Sequence, residues 1–184
     1  MLRSRLVVIT TLLLLFTAKT AEAKKFNLFE APKGTRFIIT NGSLNVNGTK
    51  LSKPWKINPF LTAVGGKYST KNLFHKVHTF DDLGVHVYEY QHREEANEVQ
   101  VSFVKQKMKF APKTNFQGSF KLEKMVITRK TSIEKVIKTL PDYKFTKSSS
   151  TNAYRGEYKG VYVYLNYSED KLIDFISFGT VQSK

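Results

Sequence analysis

Cysteine is absent from all 184 residues. That absence excludes disulfides, thiol nucleophiles, Cys-ligated zinc and a cysteine-borne lipid anchor, and leaves packing as the source of stability. Acidic residues are scarce: 15 Asp and Glu stand against 30 Lys and Arg, a formal charge of +15. Such a balance favours an anionic partner, namely an acidic protein, an anionic lipid or glycan surface, or nucleic acid. The same lysines also serve simply to keep a protein soluble. Long apolar runs are missing after the N-terminus, so no later segment reaches membrane-spanning length. No Gly-x-Ser-x-Gly elbow, phosphate loop or dinucleotide fingerprint occurs.

The N-terminus reads as an export signal over residues 1–23. Arg3 and Arg5 form a positive start, residues 6–16 a short apolar core, and Ala21-Glu22-Ala23 an A-x-A cleavage site. The expected product starts near Lys24, stays strongly basic, and is periplasmic or secreted. Export away from nucleic acid argues against that partner. Residues 24–35 read as a leader.

Residues 42–90 and 118–166 align without a gap at a fixed offset, and nine of the 49 positions are identical. Chance supplies about three, so the two stretches read as copies of one unit. Gly42-Ser43-Leu44 falls on Gly118-Ser119-Phe120, and Gly84-Val85-His86-Val87-Tyr88 on Gly160-Val161-Tyr162-Val163-Tyr164. Asn41-Gly42 and Asn47-Gly48 are hairpin turn signals. Ile57, Phe60, Leu61 and Val64 are spaced as one helical face, with Asn58 as cap, Pro59 opening the helix and Gly65-Gly66 closing it. Ile133, Val136, Ile137 and Leu140 repeat that face behind a Thr131-to-Glu134 capping box. Alternating strands follow each helix. The expected fold is α+β: two tandem ββαβββ repeats, residues 36–110 and 117–184, joined by a linker at 111–116. Each would be an antiparallel sheet with one helix packed on its dry face.

The helices at 58–64 and 131–140, the two Gly-Val-x-Val-Tyr strands, and the returning strands that end in Ser102-Phe103 and Ser177-Phe178 carry a resemblance. Their plan resembles small exported bacterial proteins built of tandem helix-plus-sheet units, including periplasmic immunity proteins and β-lactamase-inhibitor-like folds. The resemblance implies a protein that binds and blocks a toxin or hydrolase through a sheet face or loops. Its motifs are structural, so no functional residue transfers with it.

All four histidines, His75, His78, His86 and His92, lie in the first copy, opposite Thr151, Tyr154, Tyr162 and Ser168. No helical i, i+4 pair or His-flanked Glu points to a metal, and they read as surface histidines, with His86 on the wet face. Asp81-Asp82, Glu94-Glu95 and Glu169-Asp170 sit at turns, where carboxylates are solvated rather than poised for acid-base work. The N-x-S/T matches at Asn41 and Asn47 read as turn chemistry. Lys105, Lys107 and Lys109 alternate along one stretch with Val104, Met108 and Phe110 on the opposite side, which on a strand gives a charged row about 6.8 Å apart. Lys113, Arg129 and Lys130 extend the basic region. Such a row either docks an acidic partner or protects an edge strand from aggregation. Tyr88 and Tyr90, with Trp55, are candidate anchors for a protein contact; cross-strand pairing alone also accounts for the tyrosines.

These observations favour an exported, non-enzymatic binding protein with no cofactor or metal. Its expected role is that of an immunity or inhibitor protein occluding an acidic toxin or hydrolase. A binder of anionic envelope lipid or glycan is the alternative. A hydrolase relying on His78, His86 or Asp82 is the third.

Overall fold

Seven strands and one helix fill the first half of the fold. The computed structural model describes residues 34–90, 93–108 and 110–181. The expected signal segment, most of the leader, His92 and Lys109 lie outside them. β1 (Arg36–Thr40), β2 (Ser43–Val46) and β3 (Thr49–Leu51) follow one another through the two Asn-Gly turns. Asn41, Gly42, Asn47 and Gly48 all have positive φ, at 55°, 71°, 51° and 91°, the conformation that selects this dipeptide. Helix α1 (Ile57–Val64) precedes β4 (Ser69–Asn72), β5 (Lys76–Phe80), β6 (Val85–Tyr90) and β7 (Glu95–Ser102). The second half holds β8 (Ser119–Leu122), β9 (Met125–Ile127), α2 (Ile133–Thr139), a 3-10 turn at Pro141–Tyr143, β10 (Thr146–Lys147), β11 (Ala153–Tyr158), β12 (Val161–Tyr167) and β13 (Ile173–Thr180).

The fold is α+β, and its strands form two sheets that both halves of the chain share. The five-stranded sheet runs β3-β2-β1-β8-β9, and the eight-stranded sheet β10-β11-β12-β13-β7-β6-β5-β4. The first is joined by a parallel pair, with Phe37 of β1 opposite Phe120 of β8. The second is joined antiparallel, with Val99 of β7 opposite Phe178 of β13. This corrects the expectation of a separate antiparallel sheet for each half. The physical reason lies in β7 and β13, where Val99–Ser102 and Ile176–Gly179 are buried on both faces. As free edges they would leave backbone donors and acceptors unpaired beside apolar side chains, and pairing them removes two edges at once. Four strands, not three, follow each helix. The additional ones, β4 and β10, are short, fully exposed, and close the two ends of the larger sheet.

Phe178 sits where the layers meet. Its ring lies 5.4 Å from Phe37 and 5.3 Å from Phe120 of the smaller sheet, and 6.0 Å from Trp55. The smaller sheet therefore covers the dry face of the larger one, a task expected of the helices. Helix α1 adds Ile57, Phe60, Leu61 and Val64 to this core, the face its spacing predicts. It starts at Ile57 with Lys56 in the cap position and no side-chain cap bond, so Asn58 is not its cap and Pro59 is its third residue. Gly65, at φ 72°, donates its N–H to Leu61 and ends it. In α2 the cap is Ser132, whose hydroxyl accepts from the Lys135 N–H at 3.3 Å. Thr131 instead accepts from the Thr128 N–H at 3.0 Å; the cap lies one residue later than expected, and with Lys135 at the third helical position the expected Thr131-to-Glu134 capping box is not formed.

The expected lysine row is not on a strand: β7 ends at Ser102, and the chain then folds back over the outer face of the large sheet. Thr79 Oγ1 donates to the Phe110 carbonyl at 3.1 Å, and the Phe110 ring lies 6.1 Å from His86 and 6.2 Å from Tyr88. Lys113 pairs with Asp81 at 2.9 Å, and the Phe116 N–H donates to Ser102 at 2.6 Å. Lys33–Lys184 forms one compact unit, and no helix among the described residues is long and apolar enough to cross a membrane.

Candidate functional site

β12 alternates strictly. Val161, Val163, Leu165 and Tyr167 are buried in the core, while Tyr162, Tyr164 and Asn166 are only partly covered on the other face. Antiparallel register carries that outer face across the sheet. Tyr164 stands opposite Ser177, Ser177 opposite Gln100, Gln100 opposite His86, and His86 opposite Thr79. On this face opens a groove of about 750 Å³, lined by Tyr90, Tyr162, Tyr164, Phe175, Gln100 and Arg155 among others. Gln106 and Met108, from the segment after β7, form part of its lining.

The walls are aromatic and braced. The Tyr162 ring lies across Gly179, where an added Cβ would come within 2.6 Å of the tyrosine hydroxyl. Lacking that carbon, the site lets the Tyr162 hydroxyl donate to Glu98 Oε2 or the Asn97 carbonyl, each at 3.3 Å. Arg155 lies 5.3 Å over the Tyr162 ring, a cation–π contact. Tyr164 stacks on Phe175 at 6.4 Å, and its hydroxyl sits 2.7 Å from Thr151 Oγ1. Burial, reinforced by Glu98, pushes the Tyr162 hydroxyl above its ordinary pKa, so it remains a neutral donor.

Gln100 lines the groove, and behind it lies His86, which does not. His86 is fully buried and Gln100 is 4% exposed. His86 Nε2 lies 2.9 Å from Gln100 Oε1, so Nε2 carries the proton and Nδ1 a lone pair. Burial lowers the imidazole from 6.5 to about 4, a drop that the Gln100 bond opposes only in part; at neutral pH the ring is uncharged. Among the described residues, Gln100 Nε2 and His86 Nδ1 have no hydrogen-bond partner. Although Gln100 lines the groove, its amide nitrogen is itself covered by protein atoms, a buried donor left unsatisfied among the described residues.

The expected site residues divide. Tyr90 lines the groove. Lys105 and Lys107 are exposed and adjoin Gln106 and Met108 at its rim, though not as a strand row. Tyr88 is partly buried between His86 and Phe110, and burial raises its hydroxyl to about 12. Lys113, Arg129 and Lys130 are exposed but none of them lines the groove; Lys113 is tied to Asp81, whose carboxylate raises its pKa. Trp55 is 1% exposed and cannot be a surface anchor; it packs between Phe60 and Phe178. His86 is not on a wet face, because Phe110 and Tyr88 cover it. Arg155, Gln100, Glu98 and Phe175 were not expected. The alternation of β12, read across to its neighbours, is the signal that points to them.

His78, His86 and Asp82 do not converge. His78 pairs in register with core-facing Val87 and His86 with Thr79, which places the two imidazoles on opposite faces; Asp82 is exposed. His78 belongs to a separate cluster. Its Nε2 lies 2.8 Å from Glu89 Oε2, its Nδ1 3.0 Å from Thr70 Oγ1, and Lys76 Nζ reaches Glu89 Oε1 at 3.1 Å. Burial alone would raise the Glu89 carboxyl, but the bonds from His78 and Lys76 outweigh it and hold it below 4.5. The cluster ties β4, β5 and β6 together. Among the described residues no three His, Asp or Glu side chains group as metal ligands.

Fold and groove together define an α+β protein of two shared sheets with an aromatic-walled recess on the outer face of the larger one. Residues 36–137, more than half of the chain, match the family described as Domain of unknown function (DUF7738), and the chain belongs to that family. The match covers the half of the groove from Tyr90 to Met108 and stops before Arg155, Tyr162, Tyr164 and Phe175. No curated protein and no solved structure matches the chain.

Proposed function

We propose that this is an exported, non-enzymatic binding protein of the immunity or inhibitor type. It occludes an acidic toxin or hydrolase by seating a segment of that partner in the groove. One observation carries the reading: a groove with aromatic walls has Arg155 and Gln100 in its lining, and the exposed Lys105 and Lys107 are next in sequence to the lining residues Gln106 and Met108. Rigid tyrosines give contact area at low entropic cost, and the basic rim of a +15 chain steers an acidic surface toward it. The export signal over residues 1–23 belongs to the same proposal; N-terminal sequencing of the exported product, expected to begin at Lys24, checks it.

The internal duplication is also proposed. What supports it is the offset of 76 that places Ser43 on Ser119, Ile57 on Ile133 and Val85 on Val161, the first residues of β2 and β8, α1 and α2, and β6 and β12. The halves then differ most in what they give the groove. The first supplies Gln100 and the basic rim, the second most of the aromatic walls and Arg155.

The test is capture of partners from envelope and secreted fractions, with wild type, Tyr162→Ala and the Lys105→Glu/Lys107→Glu double variant compared. One stoichiometric acidic protein is expected with wild type. Tyr162→Ala should release it faster, and the double variant should slow its association at low salt by about tenfold. Equal kinetics in all three would remove the groove from the model.

A further inference from the structure

Two further recesses continue from the groove around β11. The first, of about 540 Å³, is lined by Arg155, Gly156 and Glu157 together with Lys144, Thr146 and Lys159. Arg155 lines the groove as well, so the two adjoin at that side chain. The second, of about 620 Å³, shares Tyr143 with the first, and its lining includes Lys121, Lys124, Lys138, Glu123 and Asp142. The lysines arrive from separate elements. Lys121 lies on β8 and Lys138 on α2, Lys124 follows β8, and Lys144 and Lys159 occupy turns at φ 48° and 49°. Among the described residues no ion pair involves any of these lysines or Arg155.

The carboxylates in these recesses leave most of that charge uncompensated. Glu123 is engaged elsewhere: the Asn41 N–H donates to its two oxygens at 3.0 and 3.1 Å, and the Tyr143 hydroxyl reaches it at 3.4 Å. Asp142 and Glu157 are exposed and pair with none of the cations. Five lysines and one arginine therefore stand against two free carboxylates. Two of the cations are held in place. Lys159 Nζ donates to Asn41 Oδ1 at 2.6 Å and lies 5.4 Å over Tyr158, which lines the second recess. Arg155 lies 5.3 Å over Tyr162. Like charges gathered without internal partners make a positive field that an acidic surface complements.

We propose that the two recesses form a docking track for the acidic face of the partner whose segment enters the groove. The inference rests on the reading of the groove as a partner site, and Arg155, common to groove and track, makes the contact continuous. Arg155 takes one carboxylate through its forked N–H groups. Lys144, Lys159, Lys121, Lys124 and Lys138 take Asp and Glu side chains beyond it. The track steers association at low salt and loses that effect as salt screens it.

The probe is fluorescein-labelled hexaglutamate, followed by anisotropy at low salt on the exported form of the protein. Wild type should bind it. Lys121→Gln/Lys124→Gln/Lys138→Gln should bind about eightfold more weakly, roughly twofold for each solvent-exposed ion pair lost. Lys50→Gln/Lys67→Gln/Lys130→Gln removes the same charge from exposed positions outside both recesses, and should change the affinity by less than about twofold. None of these lysines is buried, so both triple variants should keep the wild-type melting temperature. Equal losses in the two variants, or no binding by wild type, would overturn the track. Binding of a heparin fragment but not of hexaglutamate would also overturn it and make the face a glycan surface. The groove reading fails separately, through unchanged partner kinetics in Tyr162→Ala, a variant that should bind hexaglutamate as wild type does.

Discussion

Acid should weaken this fold through a single imidazole, His86. The ring is fully buried, and its pKa falls from 6.5 to about 4. Below pH 6.5 the unfolded chain takes up a proton that the folded protein refuses until about pH 4. The contribution is therefore complete above the unfolded value and is lost as pH falls across that window. Each pH unit inside it costs about 1.4 kcal/mol, so the whole interval is worth about 3 kcal/mol. For a domain of this size that corresponds to about 6–12 °C in melting temperature. The structural reason is burial: among the described residues Nδ1 has no acceptor when protonated, while Nε2 already serves Gln100. The assay is thermal unfolding followed by circular dichroism from pH 7 to pH 4 at fixed ionic strength, on wild type and His86→Gln. Carboxylates such as Glu89 titrate in both proteins and cancel in the comparison. Wild type should lose about 3 kcal/mol more than the variant across the interval. Parallel curves would refute the buried, neutral state of His86.

Three further outcomes follow from the packing. Trp55→Ala empties a site where the ring is 1% exposed between Phe60 and Phe178; it should cost about 3–5 kcal/mol by denaturant unfolding. Gly84→Ala should cost at least about 2 kcal/mol in the same measurement, because Gly84 has φ 68° and an added Cβ would collide with the Phe116 backbone. Ser132→Ala removes the hydroxyl that accepts from Lys135 and should cost about 1 kcal/mol, whereas Thr131→Ser, which keeps its hydroxyl for Thr128, should be nearly neutral.

What the sequence determined by itself was local. The face made by Ile57, Phe60, Leu61 and Val64, the two Asn-Gly turns and the alternation of β12 depend on neighbours a few residues away, and each occurs where the spacing places it. The α+β class followed from those elements. Tertiary structure alone decided which strands pair, because alternation tells which side of a strand is apolar and not which strand lies beside it. The pairing of β7 with β13 and the parallel pair β1–β8 are therefore invisible in periodicity. It also decided what covers the second face. Phe110 folding over His86 buries residues whose polarity reads as exposed, and Phe178 draws Trp55 inward. The groove belongs to this second group: Gln100 and Tyr162 are 62 positions apart in sequence, and only the β7–β13–β12 register brings them together on one face.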